Sequence, residues 1–155
     1  MDDRTLSYKE LAEIDQLYSR ANSIRSEAHT RVDSYAADLA VRRSQEAVEI
    51  YVKTIFRLIG KEYPRSHDLE KAIHEVCLLL DSFGVNRQEV ARTVLANSTL
   101  VLWRAPSFYG DERLGVARVF GEKEAKAAVG YADEVSMVCE KVRSTLYRRA
   151  ASAKD

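Results

Sequence analysis

Residues 36–69 read AADLAVRRSQEAVEIYVKTIFRLIGKEYPRSHDL. No Gly or Pro interrupts residues 36–59. Within them Ala40, Ala47, Val48, Val52, Ile55, Phe56 and Ile59 return at steps of three and four, the spacing of one helical face. The opposite stripe carries Arg42, Glu46, Glu49, Lys53 and Arg57. This predicts a long amphipathic helix that Gly60 and Pro64 bring to an end, with His67-Asp68-Leu69 opening the next one.

Outward from this stretch, Gly and Pro remain few and clustered, at Gly60/Pro64, Gly84, Pro106/Gly110, Gly115 and Gly121, and they divide the chain into helices. Upstream, Ser7 and Glu10 form a capping-box pattern ahead of Leu11, Ile14, Leu17, Ala21, Ile24 and Ala28. That helix should end within residues 30–34, where Asp33 or Ser34 can cap the next. Downstream, helices are expected over about 67–82, about 86–103 and about 122–149. The inner faces expected are Leu69, Ala72, Ile73, Val76, Leu80 and Phe83, then Val90, Val94, Leu95, Val101 and Leu102, then Ala125, Ala128, Val129, Ala132, Val135, Cys139, Val142 and Leu146. Residues 104–121 read as a loop. Strand alternation is absent, so the fold expected is all-α: an up-and-down bundle of four or five helices, led by two long antiparallel ones.

The chain has 155 residues, enough for one domain over 1–155 with a real core, and 46% apolar with 31% charged residues argues against disorder. Formal net charge is zero, with 24 basic and 24 acidic side chains, which excludes a nucleic-acid surface driven by bulk charge but leaves room for a local basic site. Two distant cysteines, Cys77 and Cys139, make no disulfide framework and read as free thiols in a reducing cytoplasm. The opening MDDRTLSYKE has no apolar segment, and no apolar run reaches membrane-spanning length; a soluble cytoplasmic protein is expected.

The order Gln45-Glu46-Ala47-x-Glu49-x-x-x-Lys53, a short Gly/Pro break, then His67-Asp68-Leu69 resembles the HEPN domain family, the helical domain of higher eukaryotes and prokaryotes nucleotide-binding proteins. The aromatic-Gly-acidic run at 108–112 and the helix opening around Ala125 resemble the family's later part, so the likeness covers about residues 30–149. It implies a helical bundle, a homodimer, association with nucleotide or RNA, and a minimal nucleotidyltransferase as partner in a toxin–antitoxin-like pair. Many members are also metal-independent ribonucleases with an R-x(4–6)-H motif, in which Arg steadies phosphate charge and His moves a proton.

This chain departs from that motif. Its histidines are His29, His67 and His74; Arg25 stands three intervening residues before His29, Arg65 one before His67, and Arg65 eight before His74. A binding subunit without catalysis is therefore expected, with no cofactor and no metal. His67, Glu70, His74 and Asp81 share a helical face, but two imidazoles seven residues apart lack the close clamp of helical metal sites. The alternatives are a ribonuclease with a divergent site and a purely structural helical adaptor.

The binding residues expected are Arg42, Lys53, Arg57, His67, Arg104, Tyr109 and Arg113. The first three lie on the charged stripe, which could face phosphate or could equally be a solvated face stapled by Arg42–Glu46 and Glu49–Lys53 pairs. Arg104, Tyr109 and Arg113 set guanidinium groups beside the aromatic rings of residues 108 and 109, a combination suited to stacking on bases and clamping phosphate. The opposing reading has the rings plugging the end of the bundle.

Overall fold

A computed structural model describes residues 6–33, 36–65, 69–109 and 119–153, with the side chain of Tyr109 outside that set. Among the described residues there are six helices and no strand. Helix α1 spans Tyr8–Asp33 and α2 spans Ala37–Leu58, the two long leading helices. Short helices α3 (Glu70–Glu75) and α4 (Cys77–Ser82) follow, then α5 (Arg87–Tyr109) and α6 (Glu122–Ser152).

Local chemistry explains most of the boundaries. Ser7 and Glu10 exchange hydrogen bonds ahead of α1, Ser7 N–H to Glu10 Oε2 at 2.8 Å and Glu10 N–H to Ser7 Oγ at 3.2 Å. Asn86 and Glu89 do the same ahead of α5, at 2.9 Å in both directions. Gly60 (φ +71°) and Gly84 (φ +81°) end α2 and α4 in the left-handed region, where a side chain is disfavoured. Around Gly60, Lys61 N–H reaches Phe56 O and Gly60 N–H reaches Arg57 O; Val85 and Gly84 repeat the pattern on Leu80 and Asp81.

Cross-helix contacts fix the topology. Tyr51 donates to Asn22 and Arg57 meets Glu13, so α1 and α2 run antiparallel. Asp15 holds Arg143 and Tyr147 while Asp133 meets Arg25 and His29, so α6 runs antiparallel to α1. Trp103 packs on Tyr131, and Glu89 accepts from Lys141, making α5 antiparallel to α6. The result is the up-and-down bundle expected. Helix α2 lies at its centre, packed against α1, α5 and α6.

All seven apolar positions predicted for the inner face of α2 are buried. So are seven of the eight predicted for α6, Leu146 being partly covered. The two cysteines are free, and burial pushes the Cys139 thiol well above its ordinary range.

Four expectations need correction. The expected third helix is broken at Val76 into α3 and α4, although Leu69, Ile73, Val76, Leu80 and Phe83 of its expected inner face are buried and Glu70, His74 and Asp81 are exposed. Helix α5 continues six residues past the expected end and includes Pro106. Proline there forfeits the bond to the carbonyl of Leu102, a well-exposed residue, while Ser107 Oγ donates to Arg104 O at 2.6 Å. The face of α5 is also rotated: Val90 and Val94 point inward as expected, but Leu95 is 56% exposed and Leu102 76% exposed, while Thr93, Ala96, Asn97 and Leu100 are buried in their place. Finally, Asp33 is the last residue of α1 and the N-cap of α2 is Ala36, with no side-chain cap; Ser34 lies outside the described residues.

Candidate functional site

The charged stripe of α2 does not simply face solvent. Helices α1 and α5 rise on either side of it and make a groove of about 530 Å³, a volume within the range of small-molecule sites. Leu17 and Arg20 come from α1, Arg42, Arg43, Gln45, Glu46, Glu49 and Lys53 from α2, and Arg104 and Phe108 from α5. Five cations face two carboxylates. A chain of zero net charge thus concentrates positive potential in one concave place.

The two carboxylates are committed to particular neighbours. Glu46 accepts from Arg43 Nη1 at 2.8 Å and lies 3.9 Å from Arg20. The Glu46 hydrogen bond, aided by Glu27 at 3.2 Å, holds the Arg43 guanidinium above its ordinary value despite the opposing effect of burial. Glu49 accepts from the buried amide of Gln45 at 3.0 Å and lies 3.9 Å from Arg104. Among the described residues no ion pair joins Arg42 to Glu46 or Glu49 to Lys53. Glu46 turns instead to Arg43 on its own helix and to Arg20 of α1, and Glu49 to Gln45 on its own helix and to Arg104 of α5.

Arg42 and Lys53 are held differently. The guanidinium of Arg42 sits 4.7 Å from the centre of the Phe108 ring, and the ammonium of Lys53 sits 5.8 Å from the centre of the Tyr63 ring. Phe108 is 52% exposed, so it does not plug the bundle; it stands at the mouth of the groove. Burial, with the Glu49 carboxylate adding to it, pushes the Tyr63 hydroxyl up to about 12, so Tyr63 stays neutral beneath Lys53.

Of the seven residues expected from sequence, the fold brings Arg42, Lys53 and Arg104 together. Arg57 does not line the groove; it turns to Glu13 of α1 at 3.6 Å. His67 and Arg113 lie outside the described residues, and of Tyr109 only the backbone, at the end of α5, is described. Arg20, Arg43 and Phe108 complete the site and were absent from the expected set. Arg104 and Phe108 are helical rather than loop residues, which fixes them against α2.

Away from the groove, Arg25 and His29 meet on one acceptor. Arg25 Nη1 lies 3.0 Å and His29 Nε2 2.8 Å from Asp133 Oδ1. Burial lowers the affinity of Arg25 for its proton, but Tyr51 and Asp133 more than offset this and hold the guanidinium above its ordinary value. The trio ties α1 to α6. His74 is exposed on α3. Among the described residues no group of three or more His, Cys, Asp or Glu side chains is placed to hold a metal, and no helix is long and apolar enough to cross a membrane.

Comparison with known proteins adds one finding. No curated protein and no solved structure matches the chain. The HEPN domain model, however, matches residues 14–142, from the first turns of α1 to the last third of α6. With the all-helical bundle and the Gln45-to-Lys53 motif on its central helix, the chain belongs to the HEPN domain family.

Proposed function

We propose that this protein is a nucleotide- or RNA-associated binding subunit whose phosphate site is the groove over α2. The reading is supported at family level by HEPN membership. The observation that carries it is the excess of guanidinium and ammonium groups in one cleft, beside the exposed ring of Phe108. Among the described residues no histidine, cysteine or serine lines that cleft, and its guanidinium and ammonium groups suit the holding of an anion. The family resemblance further supports a minimal nucleotidyltransferase as partner, in a toxin–antitoxin-like pair in the cytoplasm.

The test is thermal unfolding with millimolar ATP or GTP and with short RNAs. A ligand bound at a hundred times its Kd stabilises by about 2.7 kcal/mol, so the melting temperature should rise by several degrees. Arg42→Ala or Lys53→Ala should abolish the rise. An unchanged melting temperature with every ligand, with and without the nucleotidyltransferase, overturns the reading.

A homodimer is part of the proposal. Residues 93–103 of α5 include no charged side chain, yet Leu95 and Leu102 point outward, evenly spaced about residues 98 and 99. A two-fold pairing of α5 with its copy would set Leu95 against Leu102 twice. Leu102→Glu should then give a monomer in sedimentation; a wild-type protein that is monomeric at high concentration removes the dimer.

One observation favours a second reading, a divergent ribonuclease: the convergence of Arg25 and His29 on Asp133. It predicts metal-independent RNA cleavage that His29→Ala abolishes. Intact RNA after long incubation rules it out.

A further inference from the structure

Charge pairing in the groove is uneven along its length, and the unevenness specifies a ligand. Arg20, Arg43 and Arg104 lie within 4 Å of Glu46 or Glu49. Arg42 and Lys53, among the described residues, have no carboxylate partner. They stand eleven residues apart on α2, about 16 Å along its axis at ~1.5 Å per residue. Their rings keep them apart. Phe108 holds Arg42 at the N-terminal end of α2, and Tyr63 follows its C-terminal end and holds Lys53 there.

We infer that the groove takes a single-stranded oligonucleotide lying along α2, with one phosphate on Arg42 and another on Lys53. The inference rests on the groove being the phosphate site and names the ligand of that site. A mononucleotide carries its charge at one end and an uncharged base at the other, so it leaves one of the two cations unanswered. A strand puts charge at both ends. An extended single strand spaces its phosphates at about twice the duplex rise of 3.4 Å, so the distance between the two cations corresponds to two or three nucleotide steps.

The middle of the groove suits the same ligand. Glu46 and Glu49 disfavour phosphate there but can accept hydrogen bonds from sugar hydroxyls or base amines. Phe108, 52% exposed beside Arg42, places an aromatic ring within reach of a terminal base.

The experiment is fluorescence anisotropy of the full chain with labelled, 5′-phosphorylated oligouridylates of one to ten nucleotides, repeated over a range of salt. Affinity should climb steeply up to three or four nucleotides and then level off. Neutralising two phosphates on a single strand gives a slope of about −1.4 in log K against log salt. Arg42→Ala and Lys53→Ala should each remove about half of it. Lys71→Ala, an exposed cation of α3 that does not line the groove, should leave the slope unchanged. Uridine mono- and triphosphate binding as tightly as the hexamer, with the same loss in Arg42→Ala, overturns the strand and keeps the phosphate site. A length dependence indifferent to Arg42 and Lys53 overturns the strand as well. Absence of binding by any of these probes overturns both.

Discussion

Tyr51 offers a quantitative check on how α1 and α2 are joined. It lies at the centre of the core with no exposed surface, and its hydroxyl donates to Asn22 Oδ1 at 2.5 Å. Tyr18 packs edge-on against it, with ring centres 6.3 Å apart. Burial pushes the Tyr51 hydroxyl up to about 12, even though the Arg25 guanidinium nearby pulls the other way. In the unfolded chain the same hydroxyl ionises near 10.

The sign follows directly. Between pH 10 and 12 the unfolded chain loses this proton while the folded chain keeps it. The contribution is therefore complete below pH 10 and fades as pH rises towards 12. Two pH units at 1.36 kcal/mol each make about 2.7 kcal/mol.

Tyr51→Phe removes the hydroxyl and leaves Asn22 without its donor, at a cost of about 1–3 kcal/mol below pH 10. The variant has no phenol to ionise at that position. Its deficit against wild type should shrink across pH 10–12 and vanish or reverse at the top of the range. Urea unfolding of both proteins at half-unit pH intervals measures this difference, and titration of lysines and of other tyrosines cancels in it. A deficit that stays constant from pH 8 to 12 would refute the buried, neutral placement of Tyr51.

Two further predictions concern α2, α5 and α6. Gly60→Ala and Gly130→Ala should move stability in opposite directions by thermal unfolding: the first forces a side chain into φ +71° and costs about 1–2 kcal/mol, while the second fills an exposed helix-interior position with nothing within 4 Å and gains about 0.5–1 kcal/mol. Burial acts to raise the Glu89 carboxyl, but Lys141 at 2.5 Å and the Asn86 N–H outweigh it and hold the group below the usual carboxylate range. Its stabilising effect is present above that range and is lost as pH falls through the depressed value, so wild type should lose melting temperature on acidification more steeply than Glu89→Gln; parallel curves would refute it.

The parts legible in the sequence are those decided locally. The apolar stripe of α2 found the core because α2 touches three other helices and a central helix must bury a wide face. The reciprocal cap of Ser7 and Glu10 marked α1 because it satisfies free N–H groups on the spot. The face of α5 was misread because its inward residues include Thr93, Asn97 and Ser107, which carry no hydrophobic signal, while Leu95 and Leu102 point outward. Pro106 suggested a helix end, but α5 runs through it to Tyr109.

The site was half legible for the same reason. Arg42, Lys53 and Arg104 could be nominated from charge alone. Whether a cation remains available depends on what the next helix brings: Glu13 takes Arg57, Glu46 takes Arg43, and nothing among the described residues takes Arg42. Arg20 enters from α1 through helix packing, which no local pattern reports.

The most direct test of the central claim maps the ligand on the fold by amide chemical shifts during titration of the full chain with a six-nucleotide single-stranded RNA. The largest changes should fall at residues 17–20 of α1, 42–53 of α2 and 104–108 of α5, which meet only in the groove. Changes gathered instead around residues 25–29 and 133 of the α1–α6 seam, or on the outer face of α6, would contradict it.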